Sequence, residues 1–486
     1  MSSPPRSSRR AFLVSSAGVV AALAGARVAR ADRAATAPTV ATFRSRADLK
    51  PPLLAVEAIS PTAAPGHVFV APFVGASTNH GTAMIVDDAG EPIWVYQSVH
   101  LVMNFRTQTY RGTPVLTWWE GVVVDGGYFA GMCVIADQSY RVVKRLSGPA
   151  GMQPEVHEFL ITSRDTALVS FNNSVSADLS AYGGPNEGTI VEGVIREIDI
   201  ASGATLFEWH SLDHVGVDET LLPVGATWDY FHLNSIDVDQ DGNLLVSARH
   251  PCAVYKVDRS SGQVLWRLGG TKSDFALGPG ATFWYQHDAR SHPDGTLSLF
   301  DDGASTPQNA PEPESRALVL RLDTTAMTAS AVASYPNPHG SSTFAMGNAQ
   351  AMPGGGWLVG WGTVPEVTEF GPDGSVRFDA TFPGGEWSYR AYRSPWSGRP
   401  AGAPAVAVVR NANGSVDVYA SWNGATEVVR WRVLGGATPT SVRPLQTARR
   451  TGFETRVRLW HRPAQVRVEA LDVAGKVLGT SRAVST

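Results

Sequence analysis

The chain predicts an all-β fold, a six-bladed β-propeller followed by a fibronectin type III-like β-sandwich. Three observations predict it. No convincing amphipathic helix follows residue 32. Short alternating apolar runs are instead separated by Gly, Asp and Asn turns, the pattern of an all-β protein. Those runs recur six times at a spacing of about 45 to 65 residues, at or slightly above the range expected for propeller blades. The 48 glycines and 32 prolines supply turns, the 14 tryptophans supply packing anchors, and 43% hydrophobic residues are enough for a sizeable core.

The N-terminus has its own logic. Ser8-Arg9-Arg10-Ala11-Phe12-Leu13, an apolar stretch from Leu13 to Ala24, and Ala29-Arg30-Ala31 together read as a twin-arginine signal spanning residues 1–31. The apolar stretch is well short of the roughly 20 residues that span a bilayer, so no stable membrane insertion is expected. The expected partner in transit is the twin-arginine (Tat) machinery, and the expected location is extracellular or in the cell envelope. Residues 32–74 read as a lead-in to the propeller, which is assigned to 75–400.

The recurring element is an apolar strand, an Asp, a Gly-containing turn and a strand closing on an aromatic residue, with three clear copies and three weaker ones. The copies run from Met84 to Trp94, Val134 to Leu146, Ile198 to Trp209, Tyr255 to Trp266, Leu320 to Tyr335 and Val367 to Phe382. These are the outer two strands of each expected blade. The inner two precede them. His232 to Asp237 turns near Asp241 and returns as Asn243 to His250, so antiparallel geometry sets His232 beside His250. The same template pairs Glu155–Phe159 with Ala167–Asn173, Gln286–Arg290 with Thr296–Asp302, and Gly347–Gln350 with Trp357–Gly362. It gives His157, His232, His287 and Asn348 one shared repeat position, converging on the propeller axis. Trp118, Trp119, Trp284, Tyr285 and Trp361 fall at inner-strand ends, as substrate walls or as core. Beyond a Pro/Gly-rich stretch near residue 400, residues 401–486 give six or seven short strands, the rhythm of a fibronectin-type sandwich.

Several classes are disfavoured. A formal net charge of −4 and no basic run in the folded region argue against a nucleic-acid partner. There is no G-x-x-x-x-G-K-[ST] loop for a nucleotide donor and no G-x-S-x-G elbow. Cys133 and Cys252, the only cysteines, read as buried thiols rather than a cysteine metal site. Asp237 to Gly242 begins like a calcium loop, but Ala248 stands where the bidentate Glu belongs, so it reads as a hairpin turn. A ring of neutral imidazoles with Arg249 and Arg290 nearby suits an anionic sulfate or phosphate group. Three alternatives stay open at this level: a His-ligated metal, a quinone-type propeller enzyme, and a non-catalytic propeller binding a ligand or protein. No metal or other cofactor is expected.

The run His232-x-Asn234-Ser235-Ile236, Ser247-Ala248-Arg249-His250, Gln286-His287-Asp288-Ala289 and Leu299-Phe300-Asp301-Asp302-Gly303 resembles the arylsulfotransferase family, in particular its branch from actinobacteria and fungi. His157-Glu158-Phe159-Leu160 and Gly347-Asn348-Ala349-Gln350 fit the same branch, and the resemblance covers roughly residues 75 to 400. It implies a six-bladed propeller and transfer of a sulfuryl group from an aryl sulfate to a phenolic acceptor without a nucleotide donor. It implies that His287 is transiently sulfated in a ping-pong route and that His157 and His250 act on the sulfuryl oxygens. His232, Asn234, Arg249, Arg290 and Asn348 are expected to bind substrate, and Asp302, opposite His287 on the hairpin, to orient its imidazole. Arg249, Arg267 and Arg290 are candidates for the family's assisting arginine. The cysteine loop that precedes the Gln-His element in periplasmic members is absent here, and the C-terminal sandwich is additional.

Overall fold

The computed structural model describes residues 39–75, 80–124, 128–148, 152–303 and 314–486. The export signal read at 1–31 lies outside these residues. Among the described residues there is no α-helix, only three single-turn 3-10 segments, and no helix is long and apolar enough to cross a membrane. Strands arranged in several antiparallel sheets make up the protein.

Before residue 400 the strands form six sheets. Strand β1 (Ala55–Ile59) stands apart from its sequence neighbours. It is followed by β2 (His67–Phe73), β3 (Gly81–Val86) and β4 (Pro92–Ser98) in one sheet, and by β5 (Leu101–Tyr110), β6 (Thr113–Val123), β7 (Phe129–Ala136) and β8 (Val142–Leu146) in the next. A third holds β9 (Pro154–Ile161), β10 (Thr166–Ala177), β11 (Gly188–Asp199) and β12 (Thr205–His210), with β13 (Thr227–Trp228) on its edge. A fourth holds β14 (Leu233–Val238), β15 (Leu244–Ala248), β16 (Ala253–Val257) and β17 (Val264–Gly269). After the short β18 (Ala276–Leu277) come β19 (His287–Ser291), β20 (Thr296–Asp301), β21 (Arg316–Asp323) and β22 (Thr328–Pro336). Then follow β23 (Asn348–Ala351), β24 (Trp357–Gly360), β25 (Glu366–Phe370), β26 (Val376–Thr381) and β27 (Trp387–Ser394).

The outer hairpins show why these residues turn where they do. Asp87, Asp137, Asp199, Asp258, Asp323 and Asp373 each accept, through a side-chain oxygen, the backbone N–H of a residue two or three positions on. A carboxylate that satisfies the turn's own amides is the reason Asp opens each of these turns. Val, Ile, Leu and aromatic side chains on the flanking strands then pack between neighbouring sheets, in clusters anchored by Trp118, Trp119, Trp209 and Trp361.

Two features tie the ends of this region together. β27 pairs with β2 across more than 300 residues (Phe69 opposite Tyr392), so the first sheet is completed by the last strand. β1 pairs with β26 in the same way. The segment read as a lead-in therefore supplies strands to two sheets. The inner strands β5, β9, β14, β19, β23 and β27 each contact the next, and β27 contacts β5, so they close a ring.

After residue 400, β28 (Ala405–Arg410), β29 (Val416–Ser421) and β32 (Glu454–Leu459) form one sheet. A second holds β30 (Arg430–Gly436), β31 (Arg443–Arg449), β33 (Gln465–Leu471), β34 (Val477–Thr480) and β35 (Val484–Ser485). Val416, Val418, Trp431, Val433, Val457, Val466 and Val468 make one core shared by both sheets. This unit is joined to the first region by specific bonds: Tyr140 donates to the Gly424 carbonyl at 2.7 Å, and Val95 and Asn423 exchange two hydrogen bonds of 2.8 Å.

Candidate active site

The inner strands are irregular at one end of the ring. Register shifts interrupt the pairing of β5, β9, β14, β19 and β27 with their neighbours, leaving β23 alone regular. Such bulges re-aim side chains. Asn104, His232 and Asp288 hold φ of 54°, 51° and 54°, a left-handed backbone that non-glycine residues adopt only where the surroundings enforce it. The side chains gathered at this end include His157, His232, His250 and His287. Ring centroids lie 4.9 Å apart for His157 and His232, 4.7 Å for His232 and His250, and 6.5 Å for His157 and His287.

In all four imidazoles Nδ1 meets an oxygen. His157 pairs with Glu155, His232 with Asp229 Oδ2 at 2.5 Å, His250 with the Asp229 carbonyl, and His287 with Asp302 at 3.2 Å. Each oxygen calls for Nδ1–H, which leaves Nε2 as the unprotonated nitrogen. Two further contacts agree. The Met346 N–H donates to His287 Nε2 at 3.3 Å, and Arg249 donates from its guanidinium to His250 Nε2 at 3.1 Å.

Burial keeps three of these rings neutral. It pushes His287 well below the ordinary imidazole range, helped by the Arg249 charge, and pushes His157 down as well; His250 falls to about 3. Burial also raises Asp302 well above the usual carboxylate range, and its Oδ2 has no hydrogen-bond partner among the described residues. Asp229 goes the other way. Burial opposes its ionisation, but His232 and His250 outweigh it and hold the carboxyl down at about 2.

Arg249 is the cation of this cluster. Its guanidinium lies 5.0 Å over the Tyr285 ring and donates to the Phe344 carbonyl at 2.7 Å, and it forms no ion pair with a carboxylate among the described residues. A buried guanidinium with spare donors beside an unprotonated imidazole is suited to an anionic, planar-faced group. The profile of the arylsulfotransferase (ASST) family matches residues 106–383, more than half of the chain, including the four histidines, Asp229, Asp302 and Arg249. The chain belongs to the arylsulfotransferase family. No curated protein matches it. Solved structures resemble it distantly: a protein of unknown function from Bacteroides caccae (13% identity, 68% of this chain and 100% of that one, TM-score 0.41), a catalytically inactive virginiamycin B lyase from Staphylococcus aureus with quinupristin (10%, 76% and 97%, 0.34), and an auxiliary nutrient binding protein from Bacteroides ovatus (12%, 78% and 96%, 0.30). None of the three informs the chemistry.

Not every expected residue joins this cluster. Arg290 is bound to Glu158 at 2.5 Å, to Asp288 at 2.6 Å and to the Ile236 carbonyl at 2.8 Å, further along the channel. Arg267, on the outer strand β17, pairs with Glu219 of a 3-10 turn. Asn348 spends both ends of its amide on the Ala391 backbone, at 2.7 and 2.8 Å. Gly360 allows this, because a Cβ there would come within 2.5 Å of the Asn348 oxygen. Asn234 likewise donates to the Gln286 carbonyl at 2.6 Å, and Asn104 reaches the His157 carbonyl. Asn348 thus shares a role with Asn104 and Asn234, stapling one inner strand to the next, and does not match the histidines. Trp118, Trp119 and Trp361 are core, whereas Tyr285 is the ring under Arg249. Both cysteines are buried and free.

The sequence reading missed Asp229 and Glu155. Each lies two or three residues before a site histidine, and that spacing is the signal that was available. It also missed Tyr389 and Arg390 of β27, which join the inner ring through a pairing that is not visible locally. Ligand atoms of Asp229, His232 and His250 come within 4.8 Å of one another, but the two Nδ1 atoms are already spent on Asp229, so the trio reads as a hydrogen-bonded unit.

Proposed function

We propose that this protein is a nucleotide-independent sulfotransferase that carries a sulfuryl group from an aryl sulfate to a phenol through sulfated His287. The observation that carries the reading is the paired environment of His287. Nδ1 faces Asp302, Nε2 is unprotonated, and the ring is 1% exposed in its side chain. A neutral imidazole so held is a nucleophile without prior deprotonation.

In the first half-reaction Nε2 attacks sulfur, the S–O bond to the aryl group breaks, and phenolate leaves with the electron pair. As the ring gains positive charge, its Nδ1 proton moves toward Asp302, whose burial gives it an unusual affinity for one. In the second half-reaction a phenol oxygen attacks the sulfur as its proton passes to a base at the site, the S–N bond returns its electrons to Nε2, and Asp302 returns the proton to Nδ1. Arg249 and the His157 ring face the sulfuryl oxygens in this scheme and stabilise the charge that develops on them. The six sheets before residue 400 are the blades of a propeller in this reading, the two later sheets a fibronectin type III-like sandwich, and residues 1–31 a twin-arginine export signal.

Incubation with 4-nitrophenyl sulfate and phenol tests the activity. Nitrophenol release that depends on added phenol is the expected result. Phenol-independent release, or none, contradicts it.

A further inference from the structure

His157, His232 and His287 each present an imidazole backed by a carboxylate, yet the three pairs differ in their access to water. The His287 and Asp302 side chains are 1% and 0% exposed, and those of His157 and Glu155 are 9% and 2% exposed. His232 and Asp229 are 22% and 13% exposed. His250 does not belong to this set, because Arg249 occupies its Nε2. His232 Nε2, by contrast, meets no hydrogen-bond partner among the described residues.

The backbone holds His232 in place. Its φ of 51° and the hydrogen bond its carbonyl accepts from the Arg249 N–H fix the residue just ahead of β14. Asp229 then serves two rings at once, through its carboxylate for His232 and through its carbonyl for His250.

We infer that His232, backed by Asp229, is the general base that takes the proton of the phenolic acceptor and passes it to solvent. This role rests on the sulfohistidine reading above. The balance is simple. As the phenol O–H bond breaks, its proton goes to His232 Nε2 and its electrons form the new S–O bond. The S–N bond breaks, and its pair stays on His287 Nε2. In reverse, protonated His232 gives the proton to a departing phenolate of high basicity.

Three features favour His232 over its neighbours. Its partial exposure provides a route for the proton. The Asp229 carboxylate, ionised in this setting, stabilises the imidazolium, whereas the dry pair at His287 suits a neutral nucleophile. Two titratable pairs in contrasting environments are the arrangement by which one site divides acid–base and nucleophilic work. Among the described residues the charged and titratable groups around His232 are Asp229, His157, His250, His287 and Arg249, with the Tyr128 phenol close enough to feel Asp229.

The test separates the two half-reactions. Wild type, His232→Ala and Asp229→Asn are mixed rapidly with 4-nitrophenyl sulfate, whose leaving group needs no acid, and then with phenols of graded acidity. His232→Ala is expected to keep a burst of nitrophenol and a covalent adduct. It should lose about 10²–10⁴-fold in transfer to unactivated phenol, the range of a missing general base. The loss should shrink for acidic nitrophenols and be partly restored by added imidazole. Asp229→Asn should show the same pattern, weaker, and a wild-type-like circular dichroism spectrum checks that both variants fold. Equal slowing of burst and transfer, with no dependence on acceptor acidity, would overturn the role and leave His232 as an oxygen-binding group. Absence of any adduct in the wild type would remove the sulfohistidine reading, and this role with it.

Discussion

The ring of inner strands carries two clusters of charge that follow opposite rules. At one end burial keeps His157, His250 and His287 neutral, and Arg249 forms no ion pair with a carboxylate among the described residues. A few residues along the same strands, Glu158 is bound by Arg106 at 2.7 Å, Arg290 at 2.5 Å and Arg390 at 3.3 Å, while Asp288 pairs with Arg290 and Arg390. Beyond this plug lies a cavity of about 790 Å³ edged by Asp237, Arg290 and Tyr392. The contrast teaches how to read a buried arginine. One whose charge is cancelled within the protein holds strands together, and one left without a carboxylate is available to a ligand.

The largest effect expected from breaking this comparison is at His287. His287→Ala should cost about 10⁴-fold or more in turnover, because removal of the group that bonds to substrate leaves only positioning. Steady-state nitrophenol release measures it.

The two arginines sharpen the comparison directly. Arg249→Gln should lower kcat by about 10²–10³-fold, the usual cost of one charge-stabilising donor, with little change in thermal stability. Arg290→Gln should do the reverse. It strands Glu158 and Asp288 with less counter-charge, so it should destabilise the fold by about 3–5 kcal/mol, while the folded fraction keeps a near-normal kcat. Paired urea melts and kinetics distinguish the outcomes, and a swap of the two phenotypes would invert the assignment.

Acid should weaken the histidine end first. His250 titrates near 3 in the folded protein against an ordinary 6.5, and His157 and His287 are displaced the same way. Below pH 6.5 the unfolded chain therefore binds protons that the folded protein refuses, and stability falls toward pH 3. Asp302 and its neighbour Asp301, raised by burial to about 6, contribute with the opposite sign, since a raised carboxyl pKa favours the folded state as pH drops, but these two carboxyls do not offset three imidazoles. Melting temperature should thus decline as pH is lowered from about 7, and a flat profile would contradict the neutral-ring account.

The smallest effect is expected far from the ring. Tyr140→Phe removes the hydrogen bond to the Gly424 carbonyl and the one received from Trp396 at 3.0 Å. It should cost about 1 kcal/mol per bond in stability and leave kcat/KM unchanged.

Much of this was legible in the sequence, because the signals were local. An Asp marked every outer hairpin turn, since a carboxylate two or three residues from an amide acts within its own turn. The inner hairpin template set His232 beside His250, and their rings are in contact; it set Asp302, the residue just past β20, opposite His287, and the side chains bond although the strand register pairs His287 with Phe300. What failed was long-range or sub-residue. Repeat position alone could not say that Asn348 faces a neighbouring backbone while His287 faces the cluster, because bulges shift the strands by one residue and redirect their side chains. Sequence proximity grouped Arg290 with Arg249. Only the approach of Glu158, 132 residues away along the chain, separates them.

The central claim is that His287 carries the sulfuryl group. Intact-protein mass spectrometry after brief exposure to an aryl sulfate, with peptide mapping at alkaline pH, tests it most directly. The account predicts a gain of one SO₃ on the peptide containing His287, discharged by added phenol and absent from His287→Ala. Turnover by the wild type with no adduct, or an adduct on another residue, would contradict it.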